Sequence, residues 1–445
     1  MSDLSRRQLL FLGATGVVGA AAGAPLARNL VGPANAATAP VVVVGGGMAG
    51  VTVAKYIRLW SGRTIPVTLI ESNVDYTSNI MSNLVLNGQR TLTSLKYAYS
   101  SLASTYGVNV VQGTVTGVNP DSSSITYATA TGSRSTATVS YSRLVMAPGI
   151  DFLKIPNLTG TAANQARIVH AWQAGPQTQS LRDQLVAMPK DGVFIITIPA
   201  KPYRCPPGPY ERACVVADWI KANKRSTGST SPQVIILDAN PSIQAEAANF
   251  TTAFTKIHAG VIKYVPNATV QAVNADTRTI TTTAGRFTGH VLNVIPDHTA
   301  GRIARDAGLA TSMTAAGGAF CPVDVLTYES LVRSGIHVLG DASATSQPKA
   351  GHVANQEAKV CADAIVRLMA SPALPVDQAP ITNSACYSPI TATTASWLSV
   401  VYHYDPVGKT MVPAAGQPQE ARSITTGNYS QMKTWFSTLM QDTFK

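Results

Sequence analysis

Apolar residues fall along the chain in two textures, short β-branched runs and longer stretches with helical spacing. Val41-Val42-Val43-Val44 is a run of the first kind, and it ends in Gly45-Gly46-Gly47-Met48-Ala49-Gly50. A helical pattern follows from Ala49 to about Leu59, and a second apolar run, Val67-Thr68-Leu69-Ile70, stops at Glu71. Strands buried on both faces read as continuous hydrophobic runs rather than as alternations. The segment therefore predicts strand, Gly-x-Gly-x-x-Gly, helix, strand and acid, in that order.

Beyond Glu71 the pattern is irregular and polar from Tyr76 to Asn83, then recovers as a strand near Val108 to Val111 and a strand pair around Thr126 and Val139. Leu144-Val145-Met146 runs into Ala147-Pro148-Gly149. Residues 191–295 repeat the first theme, with a strand at Val193 to Ile198, a helix at about Tyr210 to Ala222, a strand at Val234 to Asp238, another helix and short strands to Ile295. Ile336-His337-Val338-Leu339 is a strand ending in Gly340-Asp341, followed by a helix from about Val353 to Ala370. From about 380 the chain is rich in Thr, Tyr, Ser and Val, which predicts a small antiparallel sheet with a terminal helix. Strands alternating with helices give parallel sheets. The fold class is α/β, with two Rossmann-like dinucleotide-binding domains and a small C-terminal α+β domain. The expected divisions are 37–150 and 297–378 for the first domain, 151–296 for the second and 379–445 for the terminal one.

The glycines of the first unit have separate tasks. Gly45 permits the tight turn, Gly47 lets the backbone reach a pyrophosphate, and Gly50 lets helix and strand pack closely. The helix N-terminus points about half a positive charge at the phosphates, and Glu71 is placed to hold ribose hydroxyls. The second unit lacks all of this. After its first strand comes Pro199-Ala200-Lys201-Pro202-Tyr203-Arg204-Cys205-Pro206-Pro207-Gly208-Pro209-Tyr210-Glu211, and prolines offer a phosphate no N–H. That loop argues against NAD(P)H as electron donor and presents a cysteine at a rigid turn, where a substrate would enter.

Length and charge narrow the class. The 445 residues, 45% hydrophobic and 13% charged, suffice for two or three domains and exclude collagen-like, disordered and disulfide-scaffold chains. A formal net charge of +11 comes from a shortage of acids, with no long Lys/Arg run, which argues against a nucleic-acid partner. Ser5-Arg6-Arg7-Gln8-Leu9-Leu10, an uncharged Ala/Gly-rich run from Leu9 to Ala27 and the small-x-small site Ala34-Asn35-Ala36 read as a twin-arginine export signal over residues 1–36. A transmembrane anchor is the alternative, for which the run is barely long enough to span ~30 Å. The expected destination is the periplasm, reached already folded and with a cofactor in place. Cutting after Ala36 removes Arg6, Arg7, Arg28 and Asp3 and leaves +9.

The five cysteines are Cys205, Cys214, Cys321, Cys361 and Cys386, with no Cys-x-x-Cys and no Cys-x-x-Cys-His, so neither c-type haem attachment nor zinc spacing is present. The seven histidines show no metal spacing either. Cys214 and Cys361 sit in apolar helical patterns and read as core. Cys205 and Cys321 are each flanked by proline, which predicts sulfurs exposed outside regular structure. A stabilising disulfide between distant loops is the other reading.

The run Arg204-Cys205-Pro206-Pro207-Gly208-Pro209-Tyr210-Glu211-Arg212, with Cys321-Pro322-Val323-Asp324, Gly340-Asp341-Ala342 and Pro348-Lys349-Ala350-Gly351, closely resembles the flavoprotein subunit of flavocytochrome c sulfide dehydrogenase. The likeness extends over the mature chain and takes in His170-Ala171-Trp172, Ile295-Pro296 and Asp442-Thr443-Phe444. It implies a glutathione-reductase-like, two-dinucleotide-fold flavoprotein, related to sulfide:quinone oxidoreductases. It also implies FAD held by Gly45, Gly47, Met48, Ala49, Gly50, Glu71, Ser82, Asn83, Ala147, Gly149, Gly340, Asp341, Lys349 and Gly351. In the family, sulfide is oxidised at a redox disulfide beside the flavin, and electrons pass to a separate c-type cytochrome subunit. Cys205 and Cys321 match that pair, with Cys321 nearer the flavin and Cys205 holding the substrate sulfur.

The resemblance also sharpens the roles of nearby residues. Glu211 would manage protons or gate the entrance, unless it is simply a carboxylate favoured by a helix terminus. Lys349 would stabilise charge on the reduced flavin, unless it is a solvent-exposed lysine. The excess positive charge would attract HS⁻ and an acidic patch on a cytochrome. One departure matters: members with covalent FAD carry a cysteine in a Tyr-Thr-Cys-Tyr-Leu-Ser-Asn-like segment, and here Asn79 takes that place in Thr77-Ser78-Asn79-Ile80-Met81-Ser82-Asn83. Asparagine forms no thioether, so FAD is expected to be noncovalent. Two other readings stay open. A sulfide:quinone oxidoreductase needs a membrane-seated amphipathic terminal helix, and the stretch from Tyr429 to Ser437 is short and only weakly so; no stable membrane insertion is expected. A non-catalytic FAD electron-transfer module would keep a purely structural disulfide.

Overall fold

The computed structural model describes residues 40–130 and 135–445, so the export signal expected at 1–36 lies outside the described residues. Val41–Val44 is a fully buried strand in an 11-stranded sheet. It runs parallel to Val67–Glu71 on one side and to Arg143–Met146 on the other. Asn109–Asn119 lies beyond the former, and Ile336–Val338, from the far side of the second domain, beyond the latter. The chain thus leaves this sheet after Met146 and returns to it at Ser312–Met313. Met48–Trp60 is the crossover helix, and it packs on Gly351–Leu368, with Asn355 Nδ2 donating to Thr52 Oγ1 at 3.1 Å.

The second domain is centred on Phe194–Ile198, which pairs in parallel with Val234–Asp238 and Val291–Val294. Its apolar residues are buried because helix Gly208–Asn223 covers the sheet. The next helix, Ala247–Thr252, continues as a π-helical turn at Ala253–Ile257. In the terminal domain Ile381–Pro389, Ala395–Asp405 and Thr410–Pro413 form the antiparallel sheet.

The stretch expected to be irregular is more ordered than its polarity suggests. Asp75–Thr77 pairs with Lys96–Ala98, and Asn83–Leu86 is a short buried helix. Long-range pairing and burial supply what local periodicity lacks. The terminal helix, Thr426–Phe444, turns Tyr429, Met432, Phe436, Leu439 and Phe444 into the protein. Phe444 stacks on Tyr76 and Tyr97 at centroid distances of 4.9 and 5.3 Å, while the Asp442 carboxylate accepts from Tyr56, Asn355 and Lys359. No helix among the described residues is long and apolar enough to cross a membrane.

Candidate active site

A cavity of about 370 Å³ opens at the carboxyl end of Val41–Val44, the position where open α/β sheets bind ligands. Gly45, Gly47, Met48, Ala49, Glu71, Ala147, Gly149, Gly340, Asp341 and Gly351 line it. A Cβ on Gly50 would lie 1.8 Å from the Gly45 carbonyl oxygen, so that glycine serves packing behind the cavity and not its surface. A Cβ on Gly47 would meet no protein atom within 4 Å, because this residue faces open space. The Glu71 carboxylate is held by the Gly46 N–H at 2.6 Å and the Asn73 N–H at 2.8 Å.

At the other end, the Gly340 N–H donates to Glu357 at 2.8 Å, and Arg204 Nε donates to Asp341 Oδ2 at 2.6 Å. Asp341 Oδ1 is buried with no partner. An unpaired buried carboxylate oxygen is costly unless a donor reaches it, and the hydroxyls of a ribityl chain are such donors. An open phosphate cradle, an acid near the ribose position and this orphaned oxygen together fit FAD. Asn79 also lines the cavity, with its Oδ1 accepting from the Ala174 N–H at 2.7 Å. Ser82, Asn83 and Lys349 do not line it; they face the neighbouring cavities.

Arg204 joins this cavity to Cys205. Cys205 adopts φ +58°, its N–H donates to the Lys349 carbonyl at 2.7 Å, and its own carbonyl accepts from the Gly208 N–H at 2.9 Å. This tight turn starts helix Gly208–Asn223 and directs the sulfur over Gly208, whose Cβ would come within 2.9 Å of it. The thiol lines a cavity of about 90 Å³ with Trp172, Asn83, Glu211 and Cys386. Neither Glu211 nor Lys349 is at the surface, each being 8% exposed. Glu211 accepts from Asn83 Nδ2 at 2.8 Å, and the same Asn83 accepts from Arg212 Nε at 2.8 Å. Burial pushes Glu211 up to about 8, with the Asn83 N–H pulling the other way.

The expectation that Cys321 lies exposed outside regular structure is corrected. It is 0% exposed within the strand Ala319–Asp324. Pro322 is tolerated there because the strand changes partners around it. Pairing with Ser312–Met313 ends at Phe320 and pairing with Glu329–Ser330 begins at Val323, while Cys321 and Pro322 meet only a two-residue parallel ladder with Ser343–Ala344, so the missing N–H falls at the end of a short ladder. Lys349 is linked to both cysteines: its carbonyl accepts from the Cys205 N–H, and its ammonium acts electrostatically on Cys321, which itself lines neither the dinucleotide cavity nor the Cys205 pocket. The Lys349 Nζ donates to the Ser343 carbonyl at 2.7 Å and lies 3.7 Å from the centroid of the Phe320 ring. Burial lowers it to about 8, opposed by the charges of Asp341, Glu357 and Cys321. Burial likewise pushes Cys321 up to about 12, with Lys349 pulling it down.

All five cysteines are free thiols, and Cys214 and Cys361 are buried in helices as expected. Two residues beside the site had no signal in the sequence. His298 is buried with both ring nitrogens unpartnered, and besides the loss of hydration, the charges of Arg204 and Lys349 hold it neutral. Cys386, from the strand Ile381–Pro389, faces the Cys205 cavity.

Three family models match parts of the chain. Residues 39–192 match pyridine nucleotide-disulphide oxidoreductase. Residues 178–296 match the central part of the sulfide dehydrogenase [flavocytochrome c] flavoprotein chain, and residues 378–444 match the flavocytochrome c sulphide dehydrogenase flavin-binding domain. Among solved structures, the sulfide:quinone oxidoreductase of Aquifex aeolicus is similar with a TM-score of 0.67 at 16% identity, covering 91% of each chain. The NAD-dependent persulfide reductase from A. fulgidus gives 0.58 at 14% identity, over 90% of this chain and 76% of that one. At these identities the likeness is one of fold.

Proposed function

We propose that this chain, which carries the central and flavin-binding domains of the flavocytochrome c sulfide dehydrogenase flavoprotein family behind a pyridine nucleotide-disulphide oxidoreductase domain, oxidises sulfide at a Cys205–Cys321 disulfide and passes the electrons to a c-type cytochrome. The observation that carries the reading is Lys349, whose carbonyl accepts from the N–H of Cys205, one residue from the Arg204–Asp341 link to the dinucleotide cavity, while its side chain acts on Cys321.

FAD, when bound, supplies the two-electron acceptor, held by the Gly45–Ala49 turn, Glu71 and Asp341 without a covalent link at Asn79. The residues of the chain do the rest. HS⁻ attacks Cys205 of the disulfide, a new S–S bond forms there, and Cys321 leaves as a thiolate. The Lys349 ammonium offsets the charge developing on Cys321. Glu211, which burial pushes up to about 8, relays the proton of the bound sulfur, since a proton-transfer group works best when its pKa lies near the working pH. The 90 Å³ pocket has room for a species of one or two sulfur atoms beside Cys205. The sequence has no Cys-x-x-Cys-His for attaching a c-type haem, so a haem acceptor is a separate protein. Export to the periplasm by the twin-arginine route accords with a cofactor loaded before transport.

Cys205→Ser tests the reading. Sulfide should no longer bleach the flavin while FAD stays bound, and unchanged bleaching would refute it. The acceptor is tested by offering a c-type cytochrome and a quinone analogue to the sulfide-reduced protein, with fast reduction of the haem alone expected. The quinone reading has no membrane seat in the terminal helix, because its apolar residues pack into the protein.

A further inference from the structure

Cys386 belongs to no pair that the sequence points to, yet it is the thiol that shares a cavity with Cys205. It reaches the site from the terminal domain, where Ile381–Pro389 packs against helix Gly208–Asn223. Three observations set it apart from a core cysteine. It is partly exposed, unlike Cys214 and Cys361. Its sulfur, Cys205 and the Glu211 carboxyl line one and the same pocket. It also lines two cavities at once: the 90 Å³ pocket over Cys205 and a wider one of about 770 Å³ on the other side, bounded by Pro207, Glu246, Gln347 and Tyr402. Cys386 therefore forms part of the partition between a space of sulfur dimensions and a larger outer chamber.

We propose that Cys386 takes the oxidised sulfur from Cys205 and presents it in the outer chamber. The proposal rests on the sulfide reading above. Its step is a thiol exchange without net redox change. The Cys386 sulfur attacks the outer sulfur of a Cys205 persulfide, a Cys386–sulfur bond forms, the bond from Cys205 to the transferred sulfur breaks, and Cys205 leaves as a thiolate. The proton lost from Cys386 goes to the departing Cys205 sulfur, so the atoms and charges balance. Cys205 is then free to close its disulfide with Cys321, giving two electrons to the flavin. The sulfur meanwhile waits where a nucleophile larger than HS⁻, an organic thiol, has room to collect it. A 770 Å³ chamber has no use for HS⁻ alone, but it suits release to an acceptor of that class.

The test is site mapping of persulfide. The FAD-loaded protein is given sulfide and a haem acceptor, trapped with an alkylating agent, digested, and weighed peptide by peptide. An added sulfur on the Cys386 peptide is expected, and in Cys386→Ser the sulfur should remain on the Cys205 peptide while steady-state turnover falls at least tenfold. A second arm needs no turnover: mild oxidation of Cys321→Ser should link Cys205 to Cys386. Sulfur that appears on Cys205 but never on Cys386, with normal turnover in Cys386→Ser, overturns the proposal and leaves the sulfide reading standing. Failure of sulfide to bleach the flavin of the unaltered protein overturns both.

Discussion

Two alanine substitutions three residues apart should act on opposite properties of the protein. At Gly50 the new Cβ would stand 1.8 Å from the Gly45 carbonyl oxygen and 3.0 Å from its carbon. These are backbone atoms of a buried turn, so helix Met48–Trp60 must move away by more than an ångström. Overpacking of this kind costs up to about 3 kcal/mol, and the better helix propensity of alanine returns ~1 kcal/mol. Gly50→Ala should therefore lower the stability of the FAD-free protein by about 2 kcal/mol. At Gly47, φ is −79°, which alanine accepts, and no protein atom lies within 4 Å of the new methyl. The FAD-free protein should keep its stability or gain ~0.5 kcal/mol from a stiffer unfolded chain. The methyl then occupies the space through which the backbone approaches the pyrophosphate. A 100-fold loss of FAD affinity, about 2.8 kcal/mol, is expected. Urea melts of the flavin-free proteins and FAD titrations followed by flavin fluorescence measure the two effects separately. Gly47→Ala with unaltered FAD affinity would refute the placement of the cofactor, and flavin-free Gly50→Ala as stable as the parent would refute the packing argument.

Three further outcomes follow from the site. Acid precipitation should release all the yellow colour into the supernatant, because Asn79 has no sulfur to bind the flavin; colour retained in the pellet would contradict this. Glu211 keeps its proton in the folded chain up to about pH 8 but loses it near 4.5 when unfolded, so its contribution to stability falls as pH rises through that window, by at most about 5 kcal/mol. Glu357 and Glu246 are raised for the same reason, loss of hydration, and add slopes of the same sign. Glu211→Gln should therefore flatten the fall in urea midpoint between pH 5 and 9 without abolishing it, and an unchanged slope would show that Glu211 is ionised throughout. Lys349→Met removes the buried cation beside Cys321, and the flavin midpoint potential should become more negative by about 30 mV or more, equivalent to ~1.4 kcal/mol for a two-electron couple; dye equilibration would detect a potential that does not move.

What the sequence made legible was local. Val41–Val44, the glycine turn and helix Met48–Trp60 are consecutive, and their periodicity and steric needs are written in neighbouring residues. The same holds for the proline loop that starts helix Gly208–Asn223. Contacts between distant segments left no such trace. Cys321 reads as a loop residue from its proline, and only the partner change along Ala319–Asp324 explains how it sits in a strand. Glu211 finds its hydrogen-bond donor at Asn83, 128 positions away. The link that Lys349 makes between the two predicted cysteines passes through its backbone, which carries no residue-specific signal at all. Cys386 was invisible because nothing in Ser384-Ala385-Cys386-Tyr387 announces that the terminal sheet packs on the Cys205 helix. The chemistry of single side chains was readable; which of them would meet was not.

The interactions of the terminal helix also set a timetable for synthesis. Tyr56, on the first helix of the dinucleotide domain, donates to Asp442 across 386 positions. Lys55 donates to the Asp442 carbonyl, and Phe444 packs on Tyr76 and Tyr97 of the same domain. A ribosome that has released the first helix has not yet made the residues that cover it. The domain that begins first is thus among the last to close, and loss of the final helical turn should loosen the cofactor end of the molecule before it disturbs the terminal sheet.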